Sequence, residues 1–329
     1  MTVKTNKQKK LIIILCCILA FLIVCVSTFF ILLKIGEKRL RDSLSQTDGN
    51  LTTDNAYGNE ADAYHKGKAY YYNKDLINVL VIGVDKQEKA DKSDHQADAL
   101  YLISVDTKLK KVNVLSISRN TLADIDVYDM NGDFLDTEKS QICLSYVYGK
   151  DDKNSSELTC KAVSRLLYDI PINNYYTIFM DTIADAVNVV GGVEVTLSED
   201  LTEVSKDWTN GKTVYLNGQN ALKFLQHRKE SNQPRIVRQQ QFIKGFVSSA
   251  KSAVLKDVSL PIKMYNKFSK TSVTNVGATS AVYLATQSLK AEFKLHSVPG
   301  KAGHDGTYET FEVEEEALYE KVLEIFYKN

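Results

Sequence analysis

INVLVIGVD (residues 77–85) and DALYLISVDTKLKKVNVLSISRN (residues 98–120) decide how this chain folds. Ile77 to Val84 is a nearly continuous apolar run, the pattern of a strand buried on both faces, and it stops at Gly83-Val84-Asp85. Ala99 to Val105 and Val112 to Ile117 read as two further strands, joined by Asp106-Thr107-Lys108-Leu109-Lys110-Lys111, a hairpin turn by composition. With Thr107 to Lys110 as the loop, Asp106 faces Lys111 and the register carries Asp98 opposite Arg119. A slip of one residue would undo that pairing. If the first two strands are antiparallel, Asp85, Asp98 and Arg119 stand along one edge of the sheet, just outside strand ends, where open α/β sheets bind ligands.

Outward from this core, periodicity predicts helices at about 139–149 and 155–168, a strand over Tyr175 to Met180, and a helix at 181–190 closing on Gly191-Gly192. A strand follows at Val193 to Leu197, a helix at Asn217 to Leu225, and a long amphipathic helix from about 235 to 256. A helix near 278–290, a strand near 293–298 and a helix at about 313–327 complete the pattern. Interleaved strands and helices predict a three-layer α/β/α sandwich around a mixed central sheet, over residues 75–329.

The N-terminal segment has different physics. Leu11 to Leu33 is an uncharged, almost wholly apolar run of 23 residues. As a helix it would reach roughly 35 Å, enough for a hydrocarbon core of about 30 Å. A cleaved signal has a shorter apolar region and a small-residue cleavage site, which Phe29-Phe30-Ile31-Leu32-Leu33 does not supply. The expected order is a cytoplasmic tail (1–10), one transmembrane helix (11–33), a polar stalk (34–74) and an extracytoplasmic domain (75–329) in the cell membrane. Lys and Arg number 41, as do Asp and Glu, and this balance argues against a nucleic-acid partner. Outside the apolar run the chain has two cysteines, Cys143 and Cys160, either paired or buried as free thiols.

Two polar clusters carry the chemistry. Asp85 and Asp98 beside Arg119 suit a hard divalent cation and a phosphate it bridges; equally, they read as turn and cap residues with a surface ion pair. The second cluster begins the long helix, where Pro234 precedes Arg235, Arg238 and Gln239. Arginines are otherwise better placed near a helix C-terminus, so two at its start suit a phosphate held by free N–H groups. Phe242, Ile243 and Phe246 share a face with Arg235 and Gln239, and would line a channel for a lipid tail or belong to the core.

The blocks above, with SYVYG (145–149), IPINNYY (170–176), VGGVEV (190–195), NGQNALKFL (217–225), RIVRQQQFIKGF (235–246), VPG (298–300) and FEVEEEALYE (311–320), resemble the LytR-CpsA-Psr family of cell-wall glycopolymer ligases in residue and order. The resemblance implies a phosphotransferase that moves a glycopolymer from a polyprenyl-pyrophosphate carrier to peptidoglycan with Mg2+ or Mn2+. It assigns the metal to Asp85 and Asp98 and the pyrophosphate to Arg119, Arg228, Arg235 and Gln239, with Asp98 and Arg119 as catalytic residues. The chain departs from the family pattern at Gln96 and Gln226, where arginines are usual, at Ser118 and Asn120, where Pro and Asp flank Arg119, and at Lys229-Glu230, where acidic residues are usual. The departures favour a second reading, a non-catalytic lipid-glycan binder or regulatory paralogue, and the same site with water as acceptor gives a third, a pyrophosphatase acting on the lipid carrier.

Overall fold

Leu76–Val84 is buried along nearly its whole length, with Ile77, Leu80, Ile82 and Val84 all at 0% exposure, so it takes the middle of a sheet. The computed structural model describes residue 24 and residues 27–42, 61–85, 95–227 and 233–329, without the side chains of residues 181 and 233–236. In chain order the strands are β1 (Ala63–His65), β2 (Lys68–Tyr72), β3 (Leu76–Val84), β4 (Ala97–Asp106), β5 (Lys111–Ile117), β6 (Leu122–Tyr128), β7 (Phe134–Gln141), β8 (Asn174–Phe179), β9 (Val193–Thr196), β10 (Thr213–Leu216), β11 (Ser272–Thr274), β12 (Glu292–Ser297), β13 (Gly300–His304), β14 (Glu309–Val313) and β15 (Tyr327–Lys328). The helices are α1 (residues 27–42), α2 (Asp152–Leu166), α3 (Met180–Val189), α4 (Gly218–Gln226), α5 (Gln233–Lys256), α6 (Leu260–Phe268), α7 (Ala278–Ser288) and α8 (Glu315–Phe326).

The central sheet is mixed and six-stranded, in the order β11-β8-β3-β4-β5-β12. β3, β4 and β5 pair antiparallel, while β8 joins β3 and β12 joins β5 in parallel. Alternation along the strands sends side chains to two faces. On one face Leu80, Leu102 and Leu115 pack against Val163 of α2 and Leu318 and Val322 of α8. On the other, Ile77 and Val79 pack against Leu40 of α1 and Tyr283 of α7. Helices therefore cover both faces of the mixed sheet, as the interleaved pattern predicts.

A second hydrophobic cluster joins α3, α4 and α5 to the β9–β10 hairpin through Val187, Val193, Leu216, Phe224 and Phe242. α5 approaches β9 at Gly245, where a Cβ would stand 2.4 Å from the Glu194 carbonyl oxygen.

The β4–β5 register matches the sequence expectation, with Asp106 opposite Lys111 and Leu100 opposite Ile117. The turn explains it: the buried Asp106 carboxylate accepts from Lys108 N at 2.9 Å and Leu109 N at 2.7 Å, and Lys110 takes a left-handed φ of 53°.

Two expectations need correction. The helix at 139–149 is instead the end of β7 followed by a 3-10 turn at Ile142–Tyr146. Lys139, Ser140 and Gln141 pair with Asp124, Ala123 and Leu122 of β6, a long-range ladder that overrides the local pattern. The stalk at 34–74 is not irregular where it is described: residues 34–42 are helical with Leu40 buried, and β1 and β2 pair as a hairpin. β15 adds to β2, and the Tyr72 and Tyr327 rings meet edge-on at 5.7 Å, so this segment closes against the C-terminus. Residues 43–60 lie outside the described residues, as do residues 1–10 of the tail and most of the expected membrane span. Among the described residues no helix is long and apolar enough to cross a membrane.

Asp126, with its side chain 2% exposed, accepts from Lys161 Nζ and Arg165 Nη1 of α2, each at 2.6 Å, and from Thr137 at 3.0 Å. Burial alone would raise its pKa, but these donors hold the carboxyl below its ordinary range. A depressed folded-state pKa adds stability above the unfolded value of roughly 4, and that stability is lost as pH falls through the folded value. Lys161 and Arg165 are partly exposed and regain water, so Asp126→Asn should cost only about 2 kcal/mol at pH 7. Thermal unfolding at pH 7 and pH 3 should show the gap between the two proteins shrinking at the lower pH.

Candidate active site

Asp98 owes its place to an irregular ladder. Gly83 pairs with Ala99, but Val84 pairs with Ala97, so Asp98 is the extra residue of a β-bulge, the device that re-aims a side chain at a sheet's rim. β5 leaves the ladder at Ile117, opposite Leu100, and Arg119 two residues on reaches back to Asp98. Its Nη1 donates to Asp98 Oδ1 and its Nη2 to Gln96 Oε1. Asp98 and Arg119 side chains are 14% and 24% exposed, so the pair is half-buried at the rim with part of its surface open to solvent. Asp85 follows β3 at the same end of the sheet, half-buried.

Cys143 completes this corner. Its sulfur lies 3.7 Å from Arg119 Nη2 and 3.8 Å from Gln96 Oε1. Burial pushes the thiol above its ordinary pKa although the Arg119 guanidinium pulls the other way, so it is a neutral contact. Cys143 and Cys160 are both free and buried, which settles the open pairing. Asn120 turns from the guanidinium: its Nδ2 donates to Glu309 Oε2 of β14 at 3.3 Å. His95, buried beside Gln96, has no hydrogen-bond partner for either ring nitrogen among the described residues.

The second cluster divides. Arg228 lies outside the described residues, and Arg235 is placed only as backbone in the first turn of α5. Gln239 accepts from the Tyr101 hydroxyl at 3.2 Å, which ties the start of α5 to β4. Arg238, expected at the pyrophosphate, is 1% exposed, and its guanidinium donates to Glu199 and to the His227 carbonyl. It braces the helix start against the preceding loop. Phe242 is buried, and Ile243 and Phe246 pack on the second cluster, with the two phenyl rings stacked at 5.9 Å. The face expected to line a lipid channel is thus part of this cluster.

Hard oxygen donors at Asp85 and Asp98 suit Mg2+ or Mn2+ better than a soft metal. The carboxylate of Asp98 is shared with Arg119, so a cation there would loosen that guanidinium. Among the described residues one group brings three ligand-type side chains together, His65, Glu316 and Glu320, away from this rim. The Lys66 ammonium, 3.2 Å from Glu316 and also bonded to Glu320, already supplies its cation.

Sequence reasoning missed the bulge, the Cys143 contact and the Tyr101–Gln239 bond. The out-of-step Asp98 leaves no mark in the apolar pattern, and Cys143 is 24 residues from Arg119.

A carboxylate–guanidinium pair at the rim of a mixed sheet, next to a helix that starts with basic residues, is an α/β site suited to a phosphorylated ligand. The chain belongs to the LytR_cpsA_psr family, which it matches over residues 43–324. It is 29% identical over 231 residues to the polyisoprenyl-teichoic acid–peptidoglycan teichoic acid transferase TagV of Bacillus subtilis, covering 67% of this chain and 54% of TagV. With the corresponding transferase TagT of the same organism it is 26% identical over 264 residues, 76% of this chain and 73% of TagT. The crystal structure of B. subtilis TagV superimposes with a TM-score of 0.60 at 25% identity, covering 77% of this chain and 96% of that one. The chain thus spans about half the length of TagV and nearly three quarters of TagT.

The two arginines should separate on mutation. Arg238→Leu removes a buried charge and strands its partners, and should lower stability by about 2–4 kcal/mol in urea unfolding. Arg119→Leu, at the half-buried rim pair, should cost less, about 1–2 kcal/mol, and in addition weaken pyrophosphate binding at least tenfold by calorimetry.

Proposed function

We propose that this protein is a membrane-anchored phosphotransferase that moves a glycopolymer from a polyprenyl-pyrophosphate carrier onto peptidoglycan. The observation that carries this reading is the Asp98–Arg119 pair, set at the sheet rim by a bulge and lying within the family match. The TagV and TagT names, which specify a polyisoprenyl-linked donor and peptidoglycan, support the substrate class. The apolar run at 11–33 supports the anchor, with the domain outside the cell membrane.

In this reading Asp85 and Asp98 hold Mg2+ or Mn2+, which when bound neutralises diphosphate charge. Arg119, paired with Asp98 at the rim, would donate its N–H groups to the phosphate next to the glycan. Arg228, Arg235 and Gln239 hold the same diphosphate from the start of α5. A peptidoglycan hydroxyl attacks the glycan-linked phosphorus, the bond to the bridging oxygen breaks, and polyprenyl phosphate leaves. The hydroxyl proton goes to a carboxylate or to water. Preorganised positive charge, aimed where it develops on the leaving phosphate, is the main source of acceleration. Gln96, engaged with Arg119 where the family usually has an arginine, favours the second reading, a lipid-glycan binder without turnover.

The test incubates the full-length chain in detergent with a polyprenyl-pyrophosphate-linked oligosaccharide, peptidoglycan fragments and Mg2+. A glycan–peptidoglycan phosphodiester should form, vanish with EDTA, and drop at least 100-fold with Asp98→Ala. Free glycan phosphate without the adduct would make the protein a pyrophosphatase, and tight binding without product would make it a binder.

A further inference from the structure

The last three turns of α1 are built into the domain. Leu33, Gly36 and Leu40 form a stripe at helical spacing that faces inward, with Leu40 at 1% exposure among Ile77, Val79, Val276 and Tyr283. Gly36 is buried against the start of α7: a Cβ there would stand 2.3 Å from the Thr279 carbonyl oxygen. Ser280 Oγ donates to the Gly36 carbonyl at 3.1 Å. Arg41 closes the joint, donating to Glu37 at 3.1 Å, to the Lys74 carbonyl at 3.4 Å and to Thr107 Oγ1 at 3.4 Å. It thereby reaches the same β4–β5 turn that sets the register of the site.

Just before this docked stretch the helix is apolar and bare. Phe29, Phe30, Ile31, Leu32 and Ile35 are 46%, 59%, 58%, 45% and 39% exposed, a cluster that a soluble surface rarely carries. The sequence preceding it, residues 11–26, is also uncharged and apolar. Lys34, Lys38 and Arg39 follow, all exposed, at the height where a helix leaving a bilayer meets anionic headgroups.

We infer that α1 is a rigid clamp between domain and bilayer: its bare apolar turns lie in lipid, and its next turns are a packed part of the α/β domain. This rests on the membrane reading above and goes beyond it, because it replaces a flexible stalk by a fixed joint. From Leu33 to Leu40 the helix rises only about 10 Å. The domain surface around Thr279 is therefore held at the headgroup layer, and the catalytic rim keeps one height and one orientation toward the membrane. A lipid-linked substrate would always meet that rim from the same side.

The experiment is hydrogen–deuterium exchange on the full-length chain in phosphatidylcholine/phosphatidylglycerol nanodiscs, beside Gly36→Val. The clamp predicts at least tenfold slowed exchange over residues 36–42 and 277–283, lost in both segments in Gly36→Val, while β3, β4 and β5 stay protected. Leu40→Asp should give the same pattern, which guards against an effect of valine alone. Fast exchange at 36–42 in the unmutated chain, with 29–32 protected, would overturn the clamp and leave the membrane reading standing. Failure of the chain to incorporate into nanodiscs would overturn the bilayer as the occupant, whatever the exchange at 36–42.

Discussion

The position of everything at the candidate site depends on one turn. Asp106 is buried, and its carboxylate gathers the amides of Lys108 and Leu109, while its other oxygen accepts from Asn73 Nδ2 at 2.6 Å. That fixes where β4 ends and β5 begins, and so which residues face each other along the hairpin. A strand has a side-chain period of two, so a shift of one residue would exchange the faces of β5 and move Arg119 away from Asp98. The apolar faces enforce the same register: Leu102 and Leu115 enter one core while Val105 and Val112 enter another. Two independent constraints agree, and the site at the far end of the hairpin inherits their precision.

The bulge at Asp98 is the exception that makes the rim usable. A regular ladder would have continued past Ala99 with each carboxylate bound to its pleat. The extra residue lets Ala97 join the core cluster while Asp98 meets a guanidinium. The neutral partners around Arg119, Gln96 and Cys143, hold its second terminal nitrogen without adding charge. An arginine at 96 would place a second guanidinium at the rim, whereas Gln96 leaves Arg119 as the charged donor to Asp98 there.

That helix shows how far residue type alone leaves a role open. Arg235, Arg238 and Gln239 lie within two turns of one another, yet Arg238 turns inward to Glu199 and the His227 carbonyl while Gln239 meets Tyr101. Arg238 as a brace is consistent with the close approach at Gly245, since both press the same helix onto the β9–β10 unit. Phe242, Ile243 and Phe246 then have a packing reason for being apolar.

The sequence by itself determined the mixed α/β class, the three central strands, the register of the β4–β5 hairpin and, through it, the bringing together of Asp98 with Arg119. It could do so because these features are local: a buried strand is a run of apolar residues, and a hairpin register follows from a short turn. Only the tertiary structure decided the rest. β7 replaced an apparent helix because its partners are on β6, and the hairpin of β1 and β2 emerged from a polar stretch because β15, at the other end of the chain, completes it. Cys143 reached the guanidinium, and Leu40 reached the far face of the sheet, through contacts that join residues distant in sequence. Such contacts leave no periodic trace, since their free energy comes from burial against a surface that exists only once the chain has folded.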